Sequence, residues 1–212
     1  ADDSLKISIF NCYFPPSNSP VYTEQSYEDI FEQLEMSIKA SQEDGFTCIT
    51  AGDFNAKTGL LPDVMEDMNE FVEMPENEDM VELSIPNRTN VDSVINDFGV
   101  YLVNLCKATN MFIVNGRFSK PMYTCHTSNG HSAIDYIICD ANLQDKIRHF
   151  HIDNLMHYSD HCALVCNIDF QHEIPQNKRL PSPGDVRFKW EKTKAPSFVE
   201  RLKERAKDMQ AL

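Results

Sequence analysis

The pattern of apolar and polar positions opens with a strand. Ile7, Ile9, Asn11 and Tyr13 alternate with Ser8, Phe10, Cys12 and Phe14, a β-rich run with at least one buried face, and Pro15-Pro16 ends it. A helix is predicted from about Ser26, which can cap it together with Asp29 three residues on. Its apolar stripe is Tyr27, Ile30, Phe31, Leu34 and Ile38, and Gly45 lies just past its end. Phe46 to Ala51 reads as a short apolar strand running into Gly52-Asp53-Phe54-Asn55. Helical periodicity resumes near Asn96 through Leu102, Val103, Leu105 and Cys106; a strand from Met111 to Val114 follows, then a turn at Asn115-Gly116. Further strands are predicted at Met122 to Cys125, Ala133 to Cys139 and Cys162 to Phe170. Strand, helix, strand and then loop-rich strands make an α/β or α+β layered domain over residues 1–170. Pro175, Pro181 and Pro183 mark a linker, so residues 171–212 read as that linker plus a basic amphipathic tail with Phe198, Leu202 and Met209 on one face.

Charge sharpens this outline. Between Leu60 and Asn87 there are nine acids and no Lys or Arg, a stretch that reads as a long surface excursion. From Lys178 to Asp208 ten basic residues face five acids, a surplus of +5, so the rest of the chain carries −19 of the total −14. Such a body repels a phosphate backbone unless cations intervene, which argues against a dedicated nucleic-acid binder and less against a metal enzyme. No apolar run is long enough to cross a bilayer, and the polar start Ala1-Asp2-Asp3-Ser4 is no signal peptide, although the chain lacks an initiator Met. The seven cysteines form no Cys-x-x-Cys pair and sit mostly in apolar runs, the usage of reduced thiols in an intracellular protein, nuclear or cytoplasmic. Cys125 and His126, with His131 nearby, offer sulfur and nitrogen donors, but no second ligand pair has zinc spacing.

Three short segments carry chemistry. Asp53 and Asn55 close a buried strand two positions apart on extended backbone and so can face the same way; taken alone they read more readily as an Asx-rich turn. Asp160-His161 precedes an apolar strand, and a lone pair of this kind is more often a satisfied surface pair. Asp135 is harder to dismiss. Inside Ile134-Asp135-Tyr136-Ile137-Ile138 it needs a partner to offset its desolvation, and an imidazole whose tautomer it fixes is a suitable one.

Together these motifs, in this order and separation, resemble the exonuclease–endonuclease–phosphatase superfamily, which includes abasic-site endonucleases. Asp135 and His161 are 26 positions apart and Tyr13 and Asp53 are 40 apart, as in those enzymes. Closer still is the resemblance to endonuclease domains of non-LTR retrotransposons, carried by Gly52 to Ala56, Asn115-Gly116-Arg117, Ser132 to Tyr136 and Ser159 to His161, with Arg187-Phe188-Lys189-Trp190 similar to the linker toward a reverse transcriptase. The resemblance implies a four-layer fold of two packed sheets flanked by helices. It implies that His161 binds or deprotonates the attacking water, that Asp135 orients it, and that Asp160, with Asp53, holds Mg²⁺ or Mn²⁺. It further implies that Asn55 donates to a phosphate oxygen, Asp53 handles a proton and Tyr13 contacts the phosphate.

The family's first half, with an Asn and the principal metal-binding Glu, has no counterpart, since Asp2, Asp3 and Glu24 match no motif. The expectation is therefore an N-terminally truncated DNA endonuclease, inactive or weak alone, binding its cation weakly, with DNA as substrate and a reverse transcriptase domain as a partner in a longer polyprotein. Exposed sheet edges would invite self-association, and no membrane partner is expected. The alternatives are a domesticated, non-catalytic interaction module and, less favoured, a small-molecule or lipid phosphodiesterase.

Overall fold

The computed structural model describes residues 6–23, 25–65 and 85–170. The early acids Asp2, Asp3 and Glu24, residues 66–84 of the acidic stretch, the 187–190 segment and the basic tail all lie outside the described residues. Every described residue falls in one compact unit, Ala1–Phe170.

The central sheet is built from β1 (Lys6–Tyr13), β2 (Phe46–Asp53), β3 (Met111–Ile113) and a strand near the middle of the chain, Asp135–Asp140. In chain order the short hairpin strands Cys125–Thr127 and Gly130–Ser132 are β4 and β5, Asp135–Asp140 is β6, and Ile147–Ile152 and Leu164–Ile168 are β7 and β8. The sheet order is β1-β2-β6-β3, with β1 parallel to β2 and β6 antiparallel to both its neighbours.

Two helices cover one face. In α1 (Tyr27–Glu43) Ser26 and Asp29 complete a reciprocal capping box, and Phe31 and Ile38 are buried with Tyr27, Ile30 and Leu34 packed beside them. In α2 (Asp97–Ala108) Asn96 caps the N-terminus by accepting from the Gly99 N–H, and Leu102, Val103, Leu105 and Cys106 are buried. These stripes meet Phe10, Cys12, Cys48, Met111, Ile113, Tyr136 and Ile138, the residues of alternate sheet positions. The opposite positions, Phe112, Val114 and Cys139, pack under Ile147, Phe150, Ile152 and Cys162, where β7 and β8 pair antiparallel as a second sheet. The layers run helix, sheet, sheet, the mixed α/β architecture expected; an outer helical layer beyond β7 and β8 is not among the described residues. No described helix is long and apolar enough to cross a membrane.

Among the described residues no element covers that second face toward β1. Ile9 is 71% exposed, and Ile49, Ala51, Ile137, Leu164 and Ile168 line an apolar cavity of about 560 Å³ between the sheets.

The structure corrects two expectations. The strand predicted at Met122 to Cys125 instead runs Cys125–Thr127 and returns as β5. Asp63, counted with the acids of a surface excursion, is 1% exposed. Arg117 grips its carboxylate with two contacts of 2.9 Å, Arg88 Nε approaches at 3.3 Å and the Ile113 N–H donates at 2.7 Å. Burial would push this carboxyl up, but the two guanidiniums and the backbone donor outweigh it and hold it below the usual carboxylate range.

Candidate active site

Strand register gathers the site. Tyr13 is the β1 partner of Asp53, and Asp53 is the β2 partner of Asp135, so three residues far apart in sequence stand in one row at one end of the sheet. Gly52 makes the row possible. Its φ is +145°, and a Cβ there would collide with the Cys12 carbonyl oxygen on β1. Phe14 N–H then donates to the Asp53 carbonyl at 2.8 Å and Phe54 N–H to the Ile134 carbonyl at 3.0 Å, extending the ladders past the strand ends.

Asp135 is 8% exposed and satisfied on two sides. His161 Nδ1 lies 2.9 Å from its Oδ1 and 3.0 Å from its Oδ2, while the Thr124 hydroxyl donates to Oδ2 at 2.6 Å. Thr124 Oγ1 in turn accepts the N–H groups of Ile134 and Asp135 at 3.0 and 3.1 Å. Burial pushes the Asp135 carboxyl up, against the lowering by Thr124 and His161. For His161, burial lowers the imidazole's affinity for a proton, but the charges of Asp135, Asp53 and Asp160 and the Asp135 hydrogen bond outweigh it, so its pKa stands above the ordinary value.

With Nδ1 engaged by Asp135, the other ring nitrogen, Nε2, faces the site, 3.5 Å from Cys125 Sγ. Ligand atoms of Asp53, Asp135 and His161 lie within 4.8 Å of one another, as do those of Cys125, Asp160 and His161. Asp53 is half-buried, and its carboxyl is pushed up by burial, more than the Asn55 N–H and His161 lower it. Asp160 is exposed.

Asn55 adopts a left-handed φ of +48°. Its amide nitrogen donates to the Phe14 carbonyl at 2.8 Å and makes a long 3.4 Å contact with Asp53 Oδ2. Tyr13, 69% exposed, shares the row but no hydrogen bond with this cluster among the described residues.

The Asn115-Gly116-Arg117 motif stands behind the site. Asn115 donates to the Asp135 carbonyl at 3.0 Å and accepts the Ile137 N–H at 3.0 Å, fixing the start of β6, and Arg117 joins the Asp63 cluster. Tyr136 hydroxyl donates to the Ala133 carbonyl at 2.6 Å and lies 3.0 Å from the Ala56 carbonyl, setting the segment after Asn55 against β6. Reading the sequence missed Thr124 and paired Cys125 with His126 and His131 rather than with His161; backbone bonds set both residues, Cys162 N–H to the Thr124 carbonyl and His126 N–H to the Asp160 carbonyl, each 2.7 Å.

A cation would need oxygen donors here. Asp53 and Asp160 are hard ligands that suit Mg²⁺ or Mn²⁺, while the Asp135 carboxylate is already spent on Thr124 and His161. The ligand groups present fit a divalent cation.

A family model described as "Endonuclease-reverse transcriptase" matches residues 7–165 of this chain. No curated protein matches it. Among solved structures, the chain is similar to a 3'-5' exonuclease (NExo) from Neisseria meningitidis, with 15% identity, a TM-score of 0.47, and coverage of 77% of this chain and 61% of that one. It is also similar to the endonuclease domain of TRAS1, a telomere-specific non-LTR retrotransposon, with 18% identity, a TM-score of 0.44, and coverage of 76% and 55%. The Xenopus laevis APE2 catalytic domain matches with 18% identity, a TM-score of 0.44, and coverage of 74% and 49%. The chain thus spans between about half and three-fifths of the length of these relatives.

Proposed function

The chain belongs to the endonuclease–reverse transcriptase family, within the exonuclease–endonuclease–phosphatase superfamily, and from that premise we propose that it is the catalytic portion of a metal-dependent DNA endonuclease of retrotransposon type. The observation that carries the reading is the Thr124–Asp135–His161 hydrogen-bonded chain, with Asp53 in one ligand cluster with Asp135 and His161.

In this reading a water beside His161 Nε2 loses its proton to the imidazole and attacks phosphorus in line. Asp135 holds the ring with Nδ1 protonated and stabilises the imidazolium that forms. The bond between phosphorus and the leaving oxygen breaks, and the leaving oxygen gains a proton. Asp53, in one cluster with His161, relays a proton at the nucleophile or the leaving oxygen, with solvent as its source. Asn55 gives its long contact to Asp53 in exchange for a phosphate oxygen, and Tyr13 contacts the phosphate from the edge of the row. Asp160 and Asp53 would hold Mg²⁺ or Mn²⁺, which supplies charge neutralisation at the phosphoryl oxygens.

With two available carboxylates the cation is weakly bound, and we expect this chain by itself to be a poor nuclease. Its acidic body favours as a second reading a non-catalytic interaction module. A reverse transcriptase domain is the proposed partner in a longer polyprotein, self-association through the β1 edge is expected, and unpaired thiols suit a reducing intracellular setting.

The test is nicking of supercoiled plasmid in Mg²⁺ or Mn²⁺. The chain alone should nick feebly or not at all. Fusing the front segment of a related retrotransposon nuclease, with its metal-binding Glu, should raise nicking strongly, and His161→Ala should abolish the gain. Nicking that survives His161→Ala overturns the assignment.

A further inference from the structure

His161 Nε2 has a neighbour that a magnesium enzyme does not need. The Cys125 thiol, 5% exposed, lies 3.5 Å from it, and the Asp160 carboxylate falls within the same 4.8 Å cluster. Magnesium has no use for sulfur; thiolate, imidazole and a carboxylate together are the donor set of zinc.

The geometry agrees with that chemistry. A tetrahedral centre with Zn–S of about 2.3 Å and Zn–N of about 2.05 Å places sulfur and nitrogen about 3.6 Å apart, against the 3.5 Å found. The tautomer agrees as well. A zinc-binding histidine usually gives its other nitrogen to a carboxylate, and His161 Nδ1 is already held by Asp135. The two donor segments are fixed by an isolated antiparallel bridge between Cys125 and His161, with backbone bonds on either side of it. Exposed Asp160 leaves the cluster open to solvent on one side.

We propose that Cys125, His161 and Asp160 form a binding site for Zn²⁺ or another thiophilic divalent cation, with water as the fourth ligand, and that occupancy removes Nε2 from water activation. On binding, the thiol gives its proton to solvent and the thiolate bonds the metal, with no change of oxidation state. Only the inhibitory consequence rests on the nuclease reading; the binding does not. Sequence spacing hid this site, because His161 is 36 positions from Cys125. The adjacent His126–His131 pair, Nδ1 to Nδ1 at 2.9 Å, is separate and offers imidazole only.

Co²⁺ titration of the purified full chain under reducing conditions tests the proposal. One equivalent should give a thiolate-to-cobalt charge-transfer absorption that Zn²⁺ abolishes. Cys125→Ser should lose the band with its circular dichroism unchanged. Cys166→Ser and His126→Ala should keep it, and Asp135→Asn should keep it at about 10–100-fold weaker affinity. A band that persists in Cys125→Ser, or no band in the wild-type chain, overturns the site. In the fused nuclease, Zn²⁺ should inhibit the parent and spare Cys125→Ser. If the nuclease reading alone is wrong, the band remains and no variant nicks.

Discussion

The Thr124 hydroxyl and the His161 imidazole occupy different approaches to one carboxylate, Asp135, at 2.6 and 2.9 Å. Three side chains therefore set one proton's position. Asp135→Asn keeps the shape and offers an amide where Nδ1 needs an acceptor. The His161 pKa should fall toward that of a free imidazole, with Nε2–H more populated, while the fold survives. An NMR pH titration of His161 reads both. An unchanged titration with a lowered Tm would mean that Asp135 is purely structural.

Thr124→Val separates the hydroxyl from the shape of the side chain. It removes the donor to Asp135 and the acceptor of two backbone N–H groups, all buried. The loss should be about 1–3 kcal/mol in denaturant unfolding, and Thr124→Ser should recover most of it.

Rising pH should cost the fold stability in two steps. Asp53 and Asp135 have folded pKa values above the ordinary aspartate value, so their contribution is complete below that value and is lost as pH climbs through the folded ones. His161 is raised above 6.5, so its contribution is present below that pH and disappears as pH passes the folded value. Tm measured against pH should show both declines. Asp53→Asn should diminish the first and raise Tm at neutral pH, and His161→Asn should erase the second. For the fused nuclease, the acid limb of activity should lie above pH 6.5, since the imidazole must be unprotonated to take a proton.

Calorimetric titration of the chain with Mg²⁺ alone should show weak binding, because Asp53 and Asp160 are the carboxylates left for it. Tight one-to-one binding would reveal a further metal ligand in the chain.

Removing Asp63 should be the most damaging of these changes. Asp63→Ala leaves Arg88 and Arg117 buried and facing each other, which costs about 3–5 kcal/mol. Replacing only Arg88 should cost less, because Arg117 keeps its bidentate grip.

Much of this was legible in the chain. The Ser26–Asp29 capping box, the Phe46 strand and the need of Asp135 for an imidazole all follow from local pattern and desolvation, which act through neighbours or through one strong demand. Asp63 was misread because an acid within an acidic run looks solvated, and the guanidiniums that bury it stand 25 and 54 positions away. Strand β7 was missed because His149 and His151 interrupt its apolar positions, and burial of Ile147, Phe150 and Ile152 is decided by the sheet beneath. Thr124 carries no local signal, since the pattern read it as part of a strand, where a threonine needs no explanation.

The Asp63–Arg88 contact has an engineering use. It clamps together two described residues that stand on either side of positions 66–84 in the sequence. A longer connection between two clamped positions costs only about 0.6 kcal/mol per doubling of its length. This is the place to splice in an affinity tag, a fluorescent reporter or new chain termini. Such a graft should change what the molecule carries while the spacing of Asp53, Asp135 and His161 stays as it is.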